Sequence, residues 1–320
     1  MKTIFIVPYF GKLPRYFDLY LLSCSYNTEF TWIFFTDDKT SYDYPDNVKV
    51  VYTSLIEIKK MFEEKLEMKI SLDTAYKLCD YKVAYGFLFA EYIQDYDYWG
   101  YTDTDIIYGD LSKYINNKLI SSKYEKIFNM GHLTLYKNNS YTKNIFRVKT
   151  EKSLDYEKVF TTSKFYAFDE WQGMVQKCID LNIVEFQTDY YVADIMPERK
   201  RYETWPLKYN HKDQVFAWDN GKVYMIYLEN NEIQKSEFGY IHFQKRSFKE
   251  ICKANEIIDN KFLIAPFKFI TGMDLNNKEI FNYNRLNKIQ GIQYFANFYI
   301  KKVKKLLGQY LIPKMIVKNK

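Results

Sequence analysis

The stretch Tyr98-Trp99-Gly100-Tyr101-Thr102-Asp103-Thr104-Asp105-Ile106-Ile107-Tyr108-Gly109-Asp110, YWGYTDTDIIYGD, places two carboxylates one residue apart in a run of aromatic and β-branched side chains. Such side chains favour strands, and charge is costly to withdraw from water unless something compensates it. Residues i and i+2 of a strand face the same side. Asp103 and Asp105 are therefore expected to project together, with Thr102 and Thr104 turned away. The plain reading is a solvated turn at a strand end; the sharper one is a cation held by two co-facial carboxylates.

Upstream of this stretch, strand and helix patterns alternate. Thr3–Tyr9, Thr31–Thr36 and Val48–Tyr52 read as strands, and Pro14 to about Tyr26 as a helix with Pro near its first turn. Ser54-Leu55-Ile56-Glu57 has the spacing of a capping box and opens a helix to about Leu66. Asp73–Ile93 carries apolar residues at helical spacing. This alternation predicts an α/β fold with a mostly parallel, Rossmann-type central sheet flanked by helices. Downstream, Glu125–Tyr136 reads as strand interrupted at Gly131, and Asp169–Leu181 as a helix. Asn220-Gly221 between two apolar runs reads as a hairpin turn, and Phe238–Phe243 as a short strand. No linker or repeat divides the chain. One catalytic domain over 1–283 is expected, dividing into halves at about 136, followed by a tail over 284–320.

At 320 residues, 47% of them hydrophobic, the chain can bury a large core and is not a disordered protein. Cys24, Cys79, Cys178 and Cys252 are widely spaced, which suits free thiols in a reducing compartment rather than a disulfide framework or a zinc site. The N-terminal apolar run is broken by Pro8 and Gly11 and reads as a buried strand rather than a signal peptide. No apolar run approaches the ~20 residues needed to cross a bilayer. Nine positive charges and no acid follow Glu279, so residues 1–279 carry a net −3 against +6 for the whole chain. A mildly acidic body with a basic tail is not the footprint of a nucleic-acid-binding domain. From Ile292 to Tyr310 apolar residues recur on one helical face with Lys301, Lys302, Lys304 and Lys305 on the other, a basic amphipathic helix suited to an anionic membrane surface.

Candidate chemistry is carried by the YWGYTDTDIIYGD stretch and by three further segments. A D-x-D at the carboxyl end of an inner strand supplies half a Mg²⁺ or Mn²⁺ site, and the phosphates of a nucleotide diphosphate supply the rest. In FGYIHFQKRSF, His242 lies in an apolar strand ahead of Lys245 and Arg246. An imidazole completing a Mn²⁺ site, with two cations for a diphosphate, makes a coherent cluster. In YKLCDYKVAYG, Lys77, Asp80 and Lys82 interrupt an apolar helix, and Lys77 and Asp80 can pair across one turn. In FDEW, Asp169 and Glu170 lie between aromatic residues at a helix start, where they serve either the helix dipole or a sugar site with a general base.

The order YKLCDYKVAYG, DYDYWGYTDTDIIYGDL, NMGHLTLY, FDEW and YIHFQKR resembles the bacterial capsular and surface-polysaccharide glycosyltransferases of GT-A fold, over roughly Met1–Phe248. The resemblance implies a metal-dependent transferase using a nucleotide-diphosphate sugar, a UDP-sugar favoured, and Mn²⁺ or Mg²⁺. It implies metal ligation by Asp103, Asp105 and His242, and nucleoside contact near Asp37 or Asp38 in FFTDD. Lys77, Asp80 and Lys82 would face the donor, and Lys245 and Arg246 would meet the diphosphate. Asp169 or Glu170 is the candidate base of an inverting reaction. The acceptor would be a glycan or lipid-linked oligosaccharide, and the enzyme cytoplasmic and peripheral on the inner face of the membrane. Two other readings stay open: a metal-independent glycoside hydrolase working with paired carboxylates, and a non-catalytic membrane-associated scaffold.

Overall fold

In the computed structural model, which describes residues 1–120, 123–197, 201–244 and 246–284 together with 296, 299, 300 and 303, the deciding stretch is split between two sheets. Strands β1 (Thr3–Tyr9), β2 (Phe30–Thr36), β3 (Val48–Tyr52) and β4 (Tyr98–Thr102) lie parallel in the order β3-β2-β1-β4. β4 stops at Thr102, and after a three-residue break β5 (Ile106–Tyr108) joins a different sheet. The expectation that Asp103 and Asp105 share one strand face is thereby corrected. Both lie in the break, because the chain there leaves one ladder of hydrogen bonds to enter another.

β6 (Lys126–Met130), β7 (Leu133–Lys137) and β8 (Glu185–Phe186) complete a seven-stranded sheet in which β7 runs antiparallel to both β4 and β6. The remaining strands are β9 (Val192–Ile195), β10 (Thr204–Trp205), β11 (Gln214–Asp219), β12 (Lys222–Glu229), β13 (Glu232–Phe238), β14 (Tyr240–His242), β15 (Glu250–Ile251), β16 (Lys261–Ala265) and β17 (Lys268–Thr271). A four-stranded sheet has the order β10-β9-β14-β5, and a six-stranded sheet the order β13-β12-β11-β16-β17-β15. The fold is mixed α/β, and each of these sheets combines parallel with antiparallel pairs.

Near-continuous burial, with alternate residues entering cores on opposite faces, marks β1 and β2 as inner strands. Phe5 and Val7 join Trp32 and Phe34 in the core under helix α1 (Phe17–Ser25). Ile4 and Ile6 join Ile33 and Phe35 on the opposite face, under helix α2 (Leu55–Leu66). Ser54 caps α2 as its sequence predicts: its hydroxyl accepts from the Glu57 amide at 3.2 Å, while Glu57 Oε2 accepts from the Ser54 amide at 2.7 Å. The Asn220-Gly221 turn likewise joins β11 to β12, with φ of 46° and 81°.

Residues 73–93 do not form one α-helix. The segment is a run of 3₁₀ turns over Ala75–Ala84, an α turn over Tyr85–Leu88 and a further 3₁₀ turn over Ala90–Tyr92. Lys77, Asp80 and Lys82 all turn inward, and an α-helix could not bury these polar groups along with its apolar stripe. The expected helix over 169–181 is also broken: Gly173 is non-helical (φ −102°, ψ −111°), and regular helix covers only Gln176–Asp180.

Gly100 faces Leu135 across the β4–β7 pair, where a Cβ would lie 2.2 Å from the Thr134 carbonyl oxygen. Gly100→Ala is expected to destabilise the fold by on the order of 1–3 kcal/mol. The check is the urea midpoint; an unchanged midpoint would contradict this strand spacing.

Candidate functional site

The break after β4 is pinned at both ends by backbone hydrogen bonds. The Asp103 amide donates to the His132 carbonyl at 3.0 Å, and the Phe243 amide donates to the Asp105 carbonyl at 2.8 Å. The first bond ties the break to the β6–β7 turn and the second to the end of β14. Asp103, Asp105 and His242 consequently converge, each offering a ligand atom within 4.8 Å of the others. His242 Nε2 lies 3.3 Å from Asp105 Oδ1. The Asp103 side chain is 33% exposed and that of Asp105 13%, so the cluster opens to solvent mainly through Asp103.

Behind this face stand two residues to which the sequence reading gave no role, His132 and Asp194. His242 Nδ1 donates to Asp194 Oδ1 at 2.7 Å, and Gln244 Nε2 donates to the same oxygen at 2.8 Å. The His132 ring stacks on His242 with centroids 4.0 Å apart and planes at 27°. Burial disfavours the charged form of His242, but Asp105 and Asp194 on its two sides more than offset this and push it up to about 10. Burial and the neighbouring His242 push His132 down to about 3, so it is neutral. Burial likewise opposes charge on Asp194, yet the His242 hydrogen bond and the two imidazoles hold it below the usual carboxylate range. One signal for Asp194 was available: an acid inside the apolar run Val192–Ile195, the same kind of feature that singled out Asp103.

Lys82 joins the metal-type cluster to the candidate base. Its Nζ donates to Asp103 Oδ1 at 2.6 Å and to the Gly131 carbonyl at 2.7 Å, and lies 3.5 Å from Asp169 Oδ2. Gly131 leaves room for this arrangement, since a Cβ there would lie 2.9 Å from both Asp169 Oδ2 and Glu170 Oε1. Burial raises Asp169 to about 7, with Glu170 and Asp103 adding to the rise and Lys82 opposing it. Burial also raises Glu170, helped by Asp103 and Asp194 and opposed by Lys82.

The other sequence candidates take different places. Lys77 and Asp80 form a buried pair at 2.8 Å. Lys77 also donates to the Val159 and Lys164 carbonyls, while Asp80 accepts from the Tyr166 and Phe168 amides. This pair holds the segment that leads to Asp169, and neither residue lines the cavity described below. Asp37 accepts from the Gly11 amide, and Asp38 from Lys12, the Leu13 amide and Thr40. Both fasten the loop after β1. Arg246 does line the cavity, but its guanidinium is buried, donates to the Pro266 and Met196 carbonyls and lies over Tyr202. Lys245 falls outside the described residues.

A cavity of about 540 Å³ opens beside the cluster, with Lys82, Asp103 and Asp105 in its wall and Tyr9, Tyr16 and Phe248 among its aromatic lining. It lies at the carboxyl ends of β1 and β4. The chain runs from β1 outward to β2 and β3, then returns to β4 on the other flank of β1. Such a reversal leaves a crevice at the strand ends, the usual ligand position in an open α/β sheet.

The buried Asp169 carboxyl makes a pH-dependent contribution with a definite sign. Between its ordinary value of 3.8 and its folded value of about 7, the folded chain holds a proton that the unfolded chain has released. Stability from this group is therefore complete below about pH 4 and falls as pH rises towards 7. Asp169→Asn is expected to gain stability relative to the unsubstituted protein across that window. Urea unfolding at several pH values measures this, and parallel pH curves for the two proteins would count against it.

Comparison with curated proteins gave no match, and neither did comparison with solved structures. A protein-family profile described as "Family of unknown function (DUF6625)" matches residues 5–273, which include most of β1, the break after β4, His132, Asp169, Asp194 and His242. The chain belongs to this family.

Proposed function

We propose that the chain is a metal-dependent glycosyltransferase of GT-A-like, Rossmann-type architecture. It would move a sugar from a nucleotide-diphosphate donor, a UDP-sugar favoured, to a glycan or lipid-linked oligosaccharide in surface or capsular polysaccharide synthesis. The observation that carries this reading is the convergence of Asp103, Asp105 and His242 beside a cavity at the strand ends. Two carboxylates and one imidazole suit Mn²⁺, and the carboxylates also suit Mg²⁺. The field that favours a proton on His242 also favours a divalent cation at Nε2.

A divalent ion bound there would supply charge neutralisation for the departing nucleotide diphosphate. Lys82 adds a fixed positive charge to the same wall of the cavity, where it stabilises the extra negative charge that develops on the departing diphosphate more than the charge of the intact donor. Asp169, at about 7, can take up a proton near neutral pH and serves as the base for an acceptor hydroxyl. Glu170 lies next to it at the exposed edge. The aromatic lining suits the flat face of a nucleoside base. Asp37 and Asp38 contribute through the loop they hold rather than from the cavity wall.

A thermal-shift panel of nucleotides and nucleotide sugars with and without Mn²⁺ tests this reading. Stabilisation by UDP or GDP that requires Mn²⁺, and that is lost in Asp103→Asn and Asp105→Asn, is the expected outcome. No shift with any nucleotide would overturn it, and turnover in excess chelator would favour the hydrolase instead.

We place the enzyme in the cytoplasm, peripheral on the inner membrane face, held by its basic tail. No helix among the described residues is long and apolar enough to cross a membrane. Beyond Asn284 the tail lies outside the described residues except for Ala296, Tyr299, Ile300 and Val303, all four of them exposed. Removing residues 291–320 is expected to abolish sedimentation with anionic liposomes, and unchanged binding would end this part of the proposal.

A further inference from the structure

His242 belongs to two clusters at once: Asp103 and Asp105 on one side, His132 and Asp194 on the other. The strand register sets the second relationship. β14 pairs with β9 in parallel, with His242 directly opposite Asp194. Side chains opposite one another on neighbouring strands share a face, so the 2.7 Å bond from Nδ1 to Asp194 is built into the sheet. Gln244 braces the same carboxylate oxygen at 2.8 Å. On the flank of the ring, His132 stacks at 4.0 Å and is itself held by a 3.1 Å hydrogen bond between its Nδ1 and the Tyr240 hydroxyl.

These contacts distinguish two uses of the buried group. As a second metal site it would need the lone pairs of His132 and His242 to meet at one point, but stacked rings direct their in-plane lone pairs alongside each other. It would also need His242 to surrender its bond to Asp194. As support for the first site it needs nothing to move. With Nδ1 donating to Asp194, a neutral His242 carries its lone pair on Nε2, 3.3 Å from Asp105 Oδ1.

We infer that Asp194 is a positioning residue that fixes the ring orientation and tautomer of His242 so that Nε2 completes the Asp103–Asp105 cation site, with the stacked His132 ring as a backing wall. This rests on the metal reading above and assigns roles to two residues outside the ligand set. Removal of such an outer partner of a metal-bound histidine typically weakens metal binding about 10–100-fold. An asparagine at this position can donate its amide to Nδ1, which would move the proton to Nε2 and block ligation.

The test is Mn²⁺ titration of the full chain, followed by the electron paramagnetic resonance signal of the free ion. The unsubstituted protein is expected to bind one Mn²⁺, Asp194→Asn to bind about 10–100-fold more weakly, and Asp194→Glu to recover part of the loss. In a His242→Ala background, adding Asp194→Asn should change affinity no further, because the residue acts through the imidazole. His132→Phe keeps a ring against His242 and should leave both affinity and stoichiometry nearly unchanged. Equal affinity in Asp194→Asn, or full additivity in the double variant, overturns the positioning role. Two bound ions, one of them lost in His132→Phe, overturns it in favour of a second metal site. Absence of Mn²⁺ binding by the unsubstituted protein instead removes the metal reading itself. If Asp194→Asn does not fold, Asp194→Glu compared in the presence and absence of His242→Ala gives the same decision.

Discussion

The three-residue break between Thr102 and Ile106 is the constraint from which the rest of the site follows. A strand continued through Asp103 and Asp105 would have placed their side chains by simple alternation and kept both in one sheet. Instead the chain changes sheets there, held by the His132 carbonyl at one end and the Phe243 amide at the other. Those two bonds bring the β6–β7 turn and the end of β14 to the same spot. The carboxylates then meet His242 from a segment whose geometry is fixed by two sheets rather than by one. A site built on the ends of regular strands is held more closely than one on a free loop.

Buried charge explains which polar residues belong to the architecture and which face the cavity. Lys77 and Asp80 satisfy one another and bond to backbone on either side, so the cost of burying them is offset locally and no ligand is required. Their work is to hold the chain that ends in Phe168, which sets Asp169 in place. Lys82, one turn further along, is different. Its partners Asp103 and Asp169 belong to separate parts of the fold, and Asp103 remains one-third exposed. Neighbouring residues of one short segment thus serve packing and site separately, divided by whether their partners leave anything open to the cavity.

Local signals were the ones legible in the sequence. The Ser54–Glu57 capping box, the Asn220-Gly221 turn, and the strands at Thr3–Tyr9 and Val48–Tyr52 depend on residues within a few positions of each other. The grouping of Asp103 with Asp105 and His242 was legible through composition, since few apolar strands carry such residues. What escaped depends on partners distant in the chain. The interruption of β4 is decided by the pairing of Ile106–Tyr108 with Tyr240–His242, far along the chain, and the breakup of Asp73–Ile93 by Lys77 and Asp80 bonding to the Val159–Phe168 segment. Asp194 was visible as an acid in an apolar strand, but its tie to His242 needed the β9–β14 register. Arg246 looked like a diphosphate ligand because nothing nearby in the sequence predicts the Pro266 and Met196 carbonyls that hold it.

The mixed character of the large sheet is itself part of how the site is assembled. Had β7 run parallel to β4, its first residues would lie at the edge where β4 begins. Running antiparallel, it starts at the edge where β4 ends, with Leu133 opposite Thr102. The turn that precedes it, Gly131-His132, therefore arrives beside Asp103. Gly131 supplies a carbonyl to Lys82 and, lacking a side chain, lets Asp169 and Glu170 close in. His132 supplies the ring that stacks on His242. A single reversal of strand direction thus delivers a backbone acceptor, a steric vacancy and an aromatic wall to one place, three things that none of the parallel strands beside it could bring to that edge from its own start.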